Sequence, residues 1–111
     1  MTSPVQARRL ALALTGAVEQ DHHGRPSFRV AGKIFATLPD QNHVNVMLDE
    51  AGILTAVQDM PAVCAEVWWG KRLAAVRVQL DRIGAGDLAE LLADAWEQKA
   101  SSSLSAPPGR R

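Results

Sequence analysis

Residues 21–39, Asp-His-His-Gly-Arg-Pro-Ser-Phe-Arg-Val-Ala-Gly-Lys-Ile-Phe-Ala-Thr-Leu-Pro, decide the fold of this chain. Alternating apolar and polar residues at 27–29 and 33–38 flank Val30-Ala31-Gly32, a pattern that predicts a β-hairpin. A three-residue loop with glycine in the left-handed third position is the commoner fit, and it places Arg29 opposite Lys33. A two-residue loop is the alternative, and it would pair Phe28 with Phe35.

The register of this hairpin determines which side chains enter the core, because alternate residues of a strand point to opposite faces of the sheet. With the three-residue loop, the residues expected to face the helices are Phe28, Ile34, Ala36 and Leu38. Those expected to face the other way are Arg29, Lys33, Phe35 and Thr37.

Helical signals lie on both sides of the hairpin. Ser3 before Pro4, followed by apolar residues at helical spacing, predicts a helix over about residues 4–14. Residues 49–58 are expected to form a short helix capped by Asp49, with Leu54 and Val57 on its apolar side. Pro61 is expected to begin a further helical turn or short helix through Val67. Residues 87–99 carry apolar side chains at i, i+3, i+4, i+7 and i+8, which predicts the last helix.

Two more segments, residues 43–48 and 73–80, alternate as strands, whereas residues 19–24 are expected to be a polar lead-in to the sheet. The predicted fold is therefore α+β, with two layers and an antiparallel sheet of about four or five strands flanked by helices. The predicted core consists of Leu10, Leu14, Phe28, Ile34, Leu38, Val44, Val46, Val76, Val78, Leu92 and Trp96.

Length and composition indicate a single domain over residues 1–100 of the 111, and a serine- and proline-rich tail at 101–111 that is expected to be disordered. Twelve basic residues balance twelve acidic ones, so no net positive field attracts nucleic acid from a distance. The single Cys64 suits a buried thiol in a reducing cytoplasm. No apolar run is long enough to span a membrane, and Arg8-Arg9 precedes a helical pattern rather than an export signal.

The run from His23 to Ala36 resembles the signature of the MmcQ/YjbR family, an acidic-His-aromatic/His-Gly-x-Pro-x-Phe-Arg-Val-x-Gly-Lys-x-Phe-Ala pattern. The resemblance covers about residues 10–98, most firmly in the hairpin. It implies an antiparallel sheet with flanking helices, related to the secretion-chaperone-like folds and described as a double-wing arrangement. It also implies DNA binding, a label that members of the family usually carry because of the shape of their fold, and it brings no catalytic residues.

The outward sheet face is the candidate DNA-binding surface. Arg25, Arg29, Lys33 and Arg77 are expected to collect there around Phe35, where cations can contact phosphates and an aromatic ring can stack on a base. The alternative is a solvated face whose cations protect an edge hairpin from aggregation.

A second candidate site is Trp68-Trp69-Gly70-Lys71-Arg72. Two adjacent tryptophans in a strand cannot both enter one core, so one is expected to be partly exposed beside the cations. With His23, this cluster suits a small-molecule or protein-segment site, as in a biosynthetic or self-resistance role. The alternative is that Lys71 or Arg72 only covers an indole ring by a cation–π contact.

Catalytic and metal-binding patterns are not apparent in the sequence. Ser27 near His23 is the one local pair of hydroxyl and base, and no third residue is positioned to orient it. Adjacent His22 and His23 should point to opposite sides of an extended segment, without a third ligand at a suitable spacing. We therefore expect a non-enzymatic protein with no cofactor and no metal.

Overall fold

The computed structural model describes residues 1–104, in which three α-helices pack on a six-stranded antiparallel sheet of order β1-β2-β3-β4-β6-β5. The helices are α1 (Pro4–Leu12), α2 (Glu50–Asp59) and α3 (Ala85–Leu104), and the strands are β1 (Val18–His22), β2 (Arg25–Val30), β3 (Lys33–Thr37), β4 (His43–Val46), β5 (Cys64–Trp69) and β6 (Arg72–Gln79). The predicted two-layer α+β fold is confirmed, with six strands in place of four or five.

The two additional strands lie at the edges of the sheet, where the sequence pattern is weakest. All five residues of β1 are exposed, so this strand lacks the apolar alternation that would have predicted it. β5 was expected to be helical through Val67, and this prediction is wrong. Val67, Trp68 and Trp69 have side chains that favour strands, and Gly70, with a φ of 64°, turns the chain directly into β6.

The central hairpin differs from both predicted registers. Ala31 and Gly32 form a two-residue turn with positive φ angles of 53° and 77°, and Val30 lies opposite Lys33. Such angles are typical of the type I′ turn, whose twist matches that of the strands. A bulge between Phe28 and Arg29 then pairs Phe28 with Ala36 and leaves Phe35 as the extra residue of β3.

The bulge corrects the predicted faces of β3. Phe35 and Ala36 are adjacent, yet both are fully buried at 0% exposure, because the extra residue allows both side chains to face the helices. Ile34, predicted to lie in the core, instead lies opposite Arg29 and faces away from the helices.

The core lies between the sheet and the helices, and most of its predicted members are confirmed. Buried as expected are Phe28, Leu38, Val44, Val46, Val76, Val78 and Leu92. Leu10, Leu14 and Trp96 are only partly buried and pack against the cluster from its edge. Trp96 also donates a hydrogen bond from Nε1 to the Thr15 carbonyl at 2.7 Å. It therefore ties α3 to the turn that follows α1 as well as packing against the core.

The helix ends follow from local sequence. The Ser3 hydroxyl accepts a hydrogen bond from the Gln6 N–H, and the Gln6 side-chain oxygen accepts one from the Ser3 N–H, which completes a capping box. Asp49 caps α2 by accepting from the Gly52 N–H at 2.8 Å. The buried side of α2 carries Ile53, whereas Leu54, predicted to be on that side, is 48% exposed.

α3 continues to Leu104, so its last turn occupies part of the segment that was predicted to be disordered. The remainder of that segment, residues 105–111, lies outside the described residues. α1 ends at Leu12, two residues before its predicted end at residue 14. Among the helices of residues 1–104, none combines the length and the apolar content needed to cross a bilayer.

Candidate functional site

The helices pack on one face of the sheet and leave the other face open, except where Lys99 of α3 reaches it. Residues directly opposite each other on neighbouring strands point to the same face. One cross-strand row consists of Phe28, Ala36, Val46 and Val76, all of them in the core. The neighbouring row, which must point away from the helices, consists of Ser27, Thr37, Asn45 and Arg77. We call the surface that carries this second row the open face.

Three of the predicted DNA-contacting cations lie on the open face. Arg25 and Arg29 alternate with Ser27 along β2, and Arg77 belongs to the row itself. Each Nε is anchored: Arg25 donates to the Leu38 carbonyl at 3.1 Å, and Arg29 donates to Ser27 Oγ at 3.3 Å. Arg77 Nε donates to the side-chain oxygen of Asn45 at 3.1 Å. These contacts use one edge of each guanidinium and orient the side chain along the sheet.

No carboxylate forms an ion pair with these three arginines in the part of the chain whose side chains the structure describes, residues 1–101. The carboxylates of the strands all lie on the other side of the sheet. Glu19 is opposite Phe28 and Glu66 is opposite Val76, two core residues, and Asp21 alternates in step with Glu19. The chain is neutral overall, but the register separates its charges and leaves the open face basic.

A cavity of about 430 Å³ lies on the open face, and both edges of the sheet contribute to it. Its walls include His22 and Arg25 from the β1–β2 hairpin, and Trp69 and Arg72 from the β5–β6 hairpin. In a flat sheet, five strand spacings would separate the two edge strands by about 24 Å. Since both edges line one cavity, the open face is concave. We call this cavity the sheet groove.

The two adjacent tryptophans lie on opposite sides of the sheet, although both are 52% exposed. Trp69 lies opposite Arg72 and lines the sheet groove, and the Arg72 Cζ is 5.3 Å from the centroid of its ring. The expected cation–π contact is therefore present, formed by Arg72. Trp68 lies opposite the core residue Leu73 and donates from Nε1 to Glu66 Oε1 at 2.9 Å. Of the two, Trp69 alone reaches the groove.

Two residues predicted for the DNA-binding face do not lie on it. Lys33 is opposite Val30, which is buried on the helix side, so the Lys33 side chain leaves the sheet on that side. Phe35 is fully buried and cannot stack on a base. Both corrections follow from the two-residue turn and the bulge, which move Ile34 to the open face in their place.

His23 and Lys71, which were predicted for the ligand site, occupy hairpin turns. His23 has a φ of 55° in the β1–β2 turn, and its ring contacts that of His22 with centroids 4.4 Å apart. In an extended segment the two rings were expected to point to opposite sides of the strand. They lie together instead, because the left-handed backbone of His23 in the turn brings them into contact. His22 is the histidine that lines the groove. Lys71 is exposed beyond Trp69 and is not among the residues that line it.

Two polar residues on the floor of the groove were not predicted to have a role. Thr37 is 9% exposed and Asn45 is 7% exposed, and both line the groove. Because an arginine Nε can only donate, the Asn45 atom that it contacts is the amide oxygen. Neither the Asn45 NH₂ group nor the Thr37 hydroxyl has a hydrogen-bond partner in the described part of the chain. Their outward position was predictable from strand alternation, but their burial depends on the concave sheet.

The groups considered for catalysis or metal binding are engaged elsewhere. Ser27 is fully buried, and its hydroxyl donates to the Gln20 carbonyl at 2.9 Å while accepting from Arg29. Cys64 is buried as expected, and this burial raises the pKa of its thiol. Within residues 1–104, no three His, Cys, Asp or Glu side chains lie close enough together to hold a metal ion.

Comparison with known proteins identifies a family. The YjbR family matches residues 12–98, which include the central hairpin, the whole sheet groove apart from Lys99, and most of α3. No curated protein and no solved structure matches the chain significantly. The family match covers most of the chain and agrees with the signature in residues 23–36. The chain therefore belongs to the YjbR family.

Proposed function

We propose that this chain is a cytoplasmic, non-enzymatic DNA-binding protein, and that it binds DNA through the open face of its sheet. The observation that carries the proposal is the separation of charge across the sheet. Arg25, Arg29, Arg72 and Arg77 lie on the open face, whereas the carboxylates of the described strands all lie on the other face. DNA is the common polyanion that such a row of guanidinium groups can contact at several phosphates.

The β1–β2 and β5–β6 hairpins would serve as the two wings, because they border the concave face on opposite sides of the groove. Each hairpin carries two of the four arginines of that face. Arg25 projects from the first hairpin and Arg72 from the second. The anchored Nε contacts hold Arg25, Arg29 and Arg77 along the sheet, so less side-chain freedom is lost when a phosphate binds. The net charge is zero, so binding depends on this local surface and should be modest at physiological salt.

Salt dependence of DNA binding tests the proposal. With four arginines at phosphates, we expect a plot of log affinity against log salt with a slope of roughly −3 to −4. Replacing Arg29 and Arg77 together by Gln should weaken binding and make the slope shallower by about 0.7 to 0.9 per arginine. Arg9 on α1 and Arg82 at the end of a short 3-10 helix, Leu80–Arg82, provide a matched control, because replacing both by Gln removes the same charge from other surfaces. Equal losses in the two double variants would contradict binding at the open face.

A second candidate function, binding of a small anionic molecule, is favoured by the size of the sheet groove. A cavity of about 430 Å³ falls within the range of small-molecule sites. Trp69 and Arg72 at its wall would contact a planar, negatively charged ligand. Thermal-shift measurements with a panel of aromatic carboxylates and phosphates would test this candidate. A saturable rise in melting temperature that requires Trp69, in a protein that does not bind DNA, would favour it over the first.

A further inference from the structure

We infer that the sheet groove accepts an unpaired base, so that the protein binds single-stranded DNA in preference to duplex DNA. This inference rests on the proposed DNA binding and adds the form of DNA that the site selects. It combines the open ring of Trp69, the unpartnered polar groups on the groove floor, and the arginines that extend beyond the groove.

Trp69 offers a stacking surface inside the groove. Its ring is 52% exposed although the Arg72 guanidinium lies 5.3 Å from the centroid, so the cation leaves much of the indole free. Stacking of a base on an aromatic side chain strengthens binding by about fivefold to a hundredfold. Arg72 also brings a positive charge to the same point, where the phosphate attached to a stacked base would lie.

Two polar groups on the floor of the groove lack hydrogen-bond partners, and a base could provide them. Asn45 is 7% exposed and Thr37 is 9% exposed, and their NH₂ and hydroxyl groups have no partner in the described residues. Buried polar groups are nearly always hydrogen-bonded, so these two point to a ligand with acceptor atoms. Every base carries an acceptor on its Watson–Crick edge. In a duplex that edge is already paired, whereas in a single strand it is free.

Stacking and pairing within a duplex also disfavour entry of a base into the groove. A cavity of about 430 Å³ can hold one small planar ligand. A base in a duplex would have to be unstacked and unpaired to enter, and that cost weakens duplex binding by roughly tenfold to a hundredfold relative to a strand whose bases are already free.

The distribution of arginines favours a strand over a free nucleotide. Arg25 and Arg72 line the groove, but Arg29 and Arg77 lie on the open face outside its lining. A mononucleotide in the groove would leave these two cations without a phosphate. A single strand that crosses the concave face places one base in the groove and successive phosphates along the arginines.

Fluorescence anisotropy tests the inference. The labelled probes are an oligothymidine, its duplex with oligoadenosine, and the same single strand with abasic residues. Thymidine monophosphate serves as an unlabelled competitor. We expect the single strand to bind at least tenfold more tightly than the duplex and the abasic strand, and the monophosphate to compete poorly. Trp69→Ala should weaken binding of the single strand by about fivefold or more and hardly change binding of the abasic strand.

Trp68→Ala is the matched control, because Trp68 has the same exposure but leaves the sheet on the helix side. It should bind the single strand as the wild type does. Thr37→Val keeps the shape of the side chain and removes only the unpartnered hydroxyl, so it should weaken binding of the single strand without lowering the melting temperature of the free protein.

The outcomes separate the inference from the proposed function. Equal binding of single strand and duplex, with loss on replacing Arg29 and Arg77, would overturn the inference and leave DNA binding in place. If the monophosphate bound as tightly as the oligomer, the preference for a strand over a free nucleotide would be wrong, and the small-molecule function would be favoured. Absence of binding to either DNA form at low salt would overturn both.

Discussion

The register of the central hairpin predicts that Phe35 and Ile34 contribute very differently to stability. Phe35 is 0% exposed and belongs to the core, so Phe35→Ala should lower the free energy of unfolding by about 3–5 kcal/mol. Ile34 is half-buried and faces the sheet groove, where partial burial should limit the cost of Ile34→Ala to about 1 kcal/mol. The predicted difference between these neighbours is therefore at least about 2 kcal/mol.

Urea unfolding followed by circular dichroism measures both changes. A domain of this size has a total stability of about 5–15 kcal/mol, so Phe35→Ala can approach complete unfolding. Phe35→Leu keeps most of the volume and should cost only about 1–2 kcal/mol, which keeps the comparison measurable. If Ile34→Ala proved the more destabilising of the two alanine variants, the bulge would be wrong, and with it the assignment of Ile34 to the sheet groove and of Phe35 to the core.

Three further predictions concern local features of the fold. Ala31 has a φ of 53°, so Ala31→Asn should raise the free energy of unfolding by up to about 1 kcal/mol, whereas Gly32→Ala should lower it although no atom lies within 4 Å of the added Cβ. Trp96→Phe removes the hydrogen bond to the Thr15 carbonyl and should cost about 1 kcal/mol beyond any change in packing, as measured by urea unfolding. The Asn42 backbone N–H and the His43 ring hold the pKa of Asp40 below its ordinary value of 3.8, so this carboxylate stabilises the fold above pH 3.8 and loses that effect as the pH falls through its lower folded pKa. Melting curves in acid should therefore show a steeper loss of stability for the wild type than for Asp40→Asn.

Sequence patterns predicted the parts of the fold whose apolar residues repeat regularly. The helix beginning at Pro4, the strand at 73–80 and most of the core followed from spacing alone, because burial of a regular stripe leaves a readable pattern. The edge strands β1 and β5 did not, since a strand at the edge of a sheet can be exposed on both faces. Hydrogen bonding to a neighbouring strand, which has no local signature, holds them in place.

Regular strand alternation also predicted part of the candidate site. Arg25, Arg29 and Arg77 were placed on one face by alternation, and the structure adds Arg72, which lies on the same face at the start of β6. Lys33 and Phe35 were misplaced because one bulge and one turn length reverse the faces of a strand. The burial of Asn45 beneath the groove depends on curvature across six strands, a property of the whole sheet that no short segment determines.

The most direct test of binding at the open face is nuclear magnetic resonance of this 12.0 kDa protein during a titration with single-stranded DNA. Three tryptophans give three indole N–H signals, and they report on three different surfaces. We predict that the Trp69 signal shifts, together with backbone amides of β2, β3 and β4, while the signals of Trp68 and Trp96 stay in place. Shifts confined to Trp68, Trp96 or the helices, with Trp69 unchanged at saturation, would contradict binding at the open face.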